Sequence, residues 1–199
     1  MADALLEHLG PLASLAGIWE GERGEDTSPA DDRGVEQNHY RERMTFEPIG
    51  PVRNHEQCLY GLRYALTAFR LGEPDAFHEE LGYWLWDAGA NQVLRCVLVP
   101  RGVAVLAGGT ADPAATKLEF AAEAGADTYG VCCNRFLNQA FRIIRYTLSV
   151  TLHDAQSFSY EQHTYLKMPG RPGFFDHREA NTLRRVLVIA SARDEEASS

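Results

Sequence analysis

The run Phe77-His78-Glu79-Glu80-Leu81-Gly82-Tyr83-Trp84-Leu85-Trp86, then Asp87-Ala88-Gly89-Ala90-Asn91, then Val93-Leu94-Arg95-Cys96-Val97-Leu98-Val99, reads as a β-hairpin. Aromatic and β-branched residues fill both arms, and turn formers occupy the residues between them. The alternation of strand and turn extends in both directions. Upstream, Gly17 to Gly21, Tyr40 to Phe46 and Cys58 to Phe69 read as strands, the last ended by Gly72-Glu73-Pro74-Asp75. Gly24 to Asn38 is acidic and rich in Gly, Pro, Ser and Asp, which predicts a loop. Downstream, Gly102 to Leu106, Lys117 to Ala122, Arg145 to Leu152, Phe158 to Leu166 and Thr182 to Ile189 continue the series.

Two segments depart from strand periodicity. Asp3 to Leu15 predicts a short helix, and Asn134 to Ile143 another, with Phe136, Leu137, Ala140, Phe141 and Ile144 spaced for one helical face. About ten strands without βαβ alternation predict an all-β fold, an antiparallel ten-stranded barrel of lipocalin-like type with one or two short helices. The expectation is a single domain over residues 1–192, with 193–199 a disordered tail. A barrel of about ten strands is wider than the eight-stranded kind that side chains just fill, so an internal cavity is expected. Tyr83, Trp84 and Trp86 suit either the wall of such a cavity or ordinary core packing, and periodicity does not separate the two.

Composition excludes several function classes. The 28 acidic residues outnumber 19 Lys and Arg, giving a formal net charge of −9. Such a chain has no electrostatic footprint for nucleic acid and is repelled by anionic membranes. No apolar run approaches the roughly 20 residues that span a bilayer. The start, MADALLEHLGPLASLAG, is acidic where a secretory signal would be basic, so the expected location is the cytoplasm. Cys58 and Cys96 are isolated and Cys132-Cys133 are adjacent, a pattern with no C-x-x-C metal or redox spacing and best read as free thiols.

The chemistry concentrates near the end. Ser159-Tyr160-Glu161-Gln162 leads through a short loop into Phe175-Asp176-His177-Arg178-Glu179-Ala180-Asn181-Thr182-Leu183-Arg184-Arg185. On this reading His177 stands just before the last strand, at the lip of the sheet. Imidazole is the commonest metal ligand, although a loop histidine without a ligand has the same signature. His78 starts a strand beside Glu79 and Glu80, where either a pocket role or structural hydrogen bonding fits, and His163 lies within the penultimate strand. His8, His39, His55 and His153 read as surface or loop residues. No Ser-His-Asp order, phosphate-binding glycine loop or H-E-x-x-H signature is present.

Several short motifs together resemble the nitrobindins, haem-binding β-barrels akin to fatty-acid-binding proteins. They are Leu15-Ala16-Gly17-Ile18-Trp19-Glu20-Gly21 with Gly24, then Tyr40-Arg41-Glu42, Phe77-His78-Glu79-Glu80-Leu81-Gly82-Tyr83, Ser159-Tyr160-Glu161, and Asp176-His177 with Leu183. The resemblance implies a ten-stranded barrel holding ferric haem b, with His177 as proximal iron ligand and His78 at a recurrent family position; His78, Tyr83 and His163 are the candidate pocket or structural residues. It further implies nitric oxide binding and isomerisation of peroxynitrite to nitrate. Asp176, Glu179 or, equally well, a backbone carbonyl is the expected partner of the imidazole's second nitrogen. The family's tyrosine-containing opening loop is replaced here by Gly21 to Pro29, and extra residues lie before Tyr40 and around Asp127 to Ile144. Two readings from other classes stay open: a carrier of a fatty acid or other apolar molecule, anchored by Arg43, Arg63, Arg95 or Arg145, and a plugged barrel acting in protein interaction.

Overall fold

The computed structural model describes residues 5–187. A 3-10 helix, Gly10–Leu15, precedes eleven strands: β1 Gly17–Pro29, β2 Val35–Asn54, β3 Gln57–Arg70, β4 Ala76–Asp87, β5 Gln92–Val99, β6 Val103–Thr110, β7 Lys117–Ala124, β8 Gly130–Cys133, β9 Arg142–Asp154, β10 Ser157–Lys167 and β11 Phe175–Leu187. One short helix, α1 Arg135–Ala140, lies between β8 and β9. The strands close into a barrel in the order β1-β11-β10-β9-β7-β8-β6-β5-β4-β3-β2. Neighbours run antiparallel except β7 and β8, which pair in parallel over two positions. The strand beyond the expected ten is the four-residue β8, wedged between β6 and β7 where those two also touch directly at Gly108 and Ala121.

One end of the barrel is plugged. Leu9, Leu12 and Leu15 of the N-terminal segment are fully buried there. Trp19 Nε1 donates to Leu15 O at 2.7 Å, and the Arg185 guanidinium donates to the carbonyls of Ser14 and Ala16. Of the helix predicted over Asp3 to Leu15, the described part is helical at Leu5 and Leu6 and again in the 3-10 segment, and the break between them ends at Gly10, which takes φ +52° and is followed by Pro11. A Cβ on Gly10 would meet the Trp86 indole at 2.5 Å, so glycine lets the chain lie flat on that ring. Above the plug, Trp19, Phe46, Trp84, Phe120 and Phe158 pack edge to face and fill the lower half of the interior.

Most strand boundaries follow the sequence reading. The loop expected over Gly24 to Asn38 is instead the upper part of a long hairpin, with β1 and β2 paired from Gly24↔Tyr40 to Pro29↔Val35. Poor intrinsic strand formers are held there by partners on both sides, since β1 also pairs with β11. The last strand starts at Phe175, well before Thr182, so His177 lies inside β11. Helix α1 is capped by the Asn134 side chain, which accepts from Leu137 N at 2.9 Å. Phe141 and Ile143, just after it, cluster with Leu166, Met168 and Phe175 at the end opposite the plug. The expected tail at 193–199 and the end of the last predicted strand at Ile189 fall outside the described residues. No described helix is long and apolar enough to cross a membrane.

Candidate functional site

The end away from the plug carries a dense set of inward polar groups. Strand alternation places Tyr40, Glu42, Met44 and Phe46 on the inner face of β2, and His78, Glu80, Trp84 and Trp86 on that of β4. On β11 the inner row is Phe175, His177, Glu179, Asn181 and Leu183. His177 therefore faces the interior near the open end, its side chain 25% exposed. Its Nε2 lies 2.7 Å from Oδ1 of Asp26, which is buried at 4% exposure, and 3.7 Å from Oε1 of Glu179. Burial works against a charged imidazole, but the Asp26 hydrogen bond and the charges of Glu179 and Asp26 raise its pKa. Asp26 answers in kind: burial pushes its carboxyl up, and the His177 bond and charge bring it below the ordinary value.

Two further networks line the space below. Tyr40 Oη and Tyr160 Oη are 2.7 Å apart, and Tyr160 Oη lies 3.0 Å from Glu42 Oε1, which also accepts from Asn181 Nδ2 at 2.7 Å. Burial pushes the Glu42 carboxyl up to about 8, against the hydrogen bonds from Asn181 and Tyr160. Deeper, Arg95 pairs with Glu80, touches the hydroxyl of Tyr146 and reaches Gln162. Burial opposes the Glu80 charge, yet Arg95 and His78 hold its carboxyl down to about 2. His78 Nε2 sits 3.3 Å from Glu80 Oε1; burial lowers the imidazole, but that bond and charge raise it to about 9. The buried donors Trp84 Nε1 and Arg95 Nε have no protein partner. The cavity between these groups is about 30 Å³, room for about two waters, and ordered water would satisfy such donors.

The expected site residues divide by face. His78 lines the cavity, whereas His177 shares the inner face of β11 and packs against Asp26 without lining it. Tyr83 points outward and is 44% exposed, because alternation sends its neighbours Trp84 and Gly82 inward. His163 is also on the outer face, bound to Asp176 at 2.9 Å and Glu161 at 3.1 Å. Asp176 thus serves His163 and Arg178 rather than His177. Of the four arginines considered for a carrier, only Arg95 is buried; Arg43 and Arg63 pair with Glu20 and Glu47 on the outside, and Arg145 is exposed. Asp26 was missed, since nothing in an acidic, turn-rich stretch marks one aspartate as inward. Glu42 was legible in principle: it shares the parity of Met44 and Phe46.

The described residues thus form a closed β-barrel plugged at one end, with His177 on its inner face toward the other. The family model described as "THAP4-like, heme-binding beta-barrel domain" matches residues 8–185. The chain belongs to this haem-binding β-barrel family. A search among curated proteins found no match. Among solved structures, Rv2717c from M. tuberculosis is similar with a TM-score of 0.64 and 22% identity, covering 91% of this chain and 96% of that one. That likeness speaks to the fold.

An iron porphyrin needs an axial donor, apolar surface and room. An inward imidazole backed by a carboxylate meets the first need. Met44, Leu66, Ala68, Phe77, Leu148 and Val150 on the cavity wall meet the second. Room is the limiting factor, because the 30 Å³ cavity is far below the several hundred cubic ångströms of a typical ligand pocket. The donor and the apolar wall suit such a group, but His177 does not line this cavity, and the space as it stands does not hold a porphyrin.

Proposed function

We propose that the open end of the barrel binds haem, with His177 as the iron's protein ligand. The observation that carries the reading is the imidazole of His177, inward at the mouth and steadied by buried Asp26 at 2.7 Å. Asp26 orients the ring and raises its basicity, as carboxylate partners of metal-bound histidines do. Phe77, Met44 and Leu66 supply apolar surface and exclude water. Glu42 keeps a proton at its carboxyl near neutrality, 3.0 Å from Tyr160 Oη, so a neutral donor set faces the pocket on that side. When bound, ferric haem would supply an iron site for nitric oxide or for isomerising peroxynitrite to nitrate.

The test is a hemin titration followed by the Soret band. Wild type should bind one equivalent with a histidine-ligated spectrum, His177→Ala should lose it or weaken at least tenfold, and His78→Ala should retain it. Equal binding by wild type and His177→Ala contradicts the assignment. Peroxynitrite decay to nitrate should then accelerate in proportion to haem loading.

A further inference from the structure

Three donor atoms converge at the mouth from two adjacent strands. Asp26 and Glu179 sit directly opposite each other in the β1–β11 register, and His177 precedes Glu179 by two residues on the same face. One ligand atom from each of Asp26, His177 and Glu179 lies within 4.8 Å of the other two, and His177 Nε2 is 2.7 Å from Asp26 Oδ1 and 3.7 Å from Glu179 Oε1. The second oxygen of each carboxylate is held by an amide: Asn38 Nδ2 donates to Asp26 Oδ2 at 3.2 Å, and Gln162 Nε2 donates to Glu179 Oε2. These tethers leave one oxygen of each acid turned to the same imidazole nitrogen. A simple ion pair would need one carboxylate, and here two compete for one nitrogen.

Charge points the same way. An imidazolium at His177 offsets one of the two acids, while Arg95 and His78 are already engaged by Glu80. No other cationic side chain touches Asp26 or Glu179 among the described residues. We propose that Asp26, His177 and Glu179 bind one divalent first-row transition-metal ion in the haem-free protein. One imidazole nitrogen with two carboxylate oxygens suits zinc, manganese or iron(II) rather than calcium, which takes six to eight oxygens. Three protein ligands leave a coordination position for water on the open side. This inference goes beyond the haem reading and does not rest on it.

The experiment titrates the metal-stripped full chain with zinc chloride by calorimetry, and with cobalt(II) by visible absorption. One equivalent should bind, with cobalt bands lacking the thiolate charge-transfer feature. Asp26→Asn and Glu179→Gln preserve shape and should each weaken zinc at least tenfold, while Cys132→Ser and Cys133→Ser leave it unchanged. Thermal unfolding of the metal-free variants checks that each is folded. Absence of saturable binding, binding unchanged in Glu179→Gln, or binding lost with the cysteines each overturns the site. Hemin uptake by Glu179→Gln, which keeps the imidazole, is measured in parallel, so failure of the ion site and failure of the haem reading give different results.

Discussion

Glu42 is held almost without solvent contact between Tyr160 and Asn181, with no cation paired to it. Its folded carboxyl titrates near 8 against an ordinary value of 4.5, so the folded state holds a proton that the unfolded chain has released. The sign follows from linkage: this group's favourable balance is complete below about 4.5 and is lost as pH rises toward about 8. Glu42→Gln keeps an acceptor for Asn181 and removes the titration. It should stabilise the protein at pH 7 by roughly 1–3 kcal/mol and flatten the stability profile between those two pH values. Urea unfolding across pH checks this, and an unchanged or steeper profile in the variant would refute it. Glu80 has the opposite sign, since its lowered carboxyl contributes stability above about 4.5 that is lost as pH falls through about 2. Arg95→Met strands Glu80 without its main partner and should cost about 3–5 kcal/mol by the same measurement.

At the level of elements, the plug is the part most dependent on apolar burial. Leu12 is fully buried in the 3-10 helix, beneath the aromatic layer. Leu12→Ala should destabilise by about 2–5 kcal/mol in denaturant unfolding. A change below half a kcal/mol would mean that the segment is not an integral floor. The strand series was readable because turn formers punctuate it, as Asp87 to Asn91 does between β4 and β5. Alternation did not settle the inner face of β4, because Leu81 to Trp86 is apolar on both faces; in the fold Trp84 and Trp86 are buried while Leu81 and Tyr83 are exposed. Alternation also failed in the upper β1–β2 hairpin and the start of β11, where polar residues face inward and mimic loop composition. Asp26, Asn38, His177 and Glu179 all lie in those two stretches. The residues that build the site are thus the ones that hide its strands, because burying polar groups requires partners that only tertiary pairing brings together.

On the scale of the whole molecule, the barrel is divided into a packed lower half and a polar upper half. Aromatic side chains and the plug fill the first, so the cavity expected from strand number shrinks to about 30 Å³. The polar half opens where His177 stands, beneath the turn at 30–34 and the loop at 168–174. Arg33 Nη1 donates to Pro169 O at 2.8 Å and Arg171 Nη1 to Arg33 O at 3.0 Å, clasping these two connections over one side of the mouth. The proposed haem site makes His177 a metal ligand at that mouth. Resonance Raman spectroscopy of the ferrous, hemin-loaded protein reads that bond itself. The spectrum should contain an iron–imidazole stretching band that shifts when histidine carries nitrogen-15 and is missing in His177→Ala. A band unaffected by the label, or one that persists in His177→Ala, would contradict it.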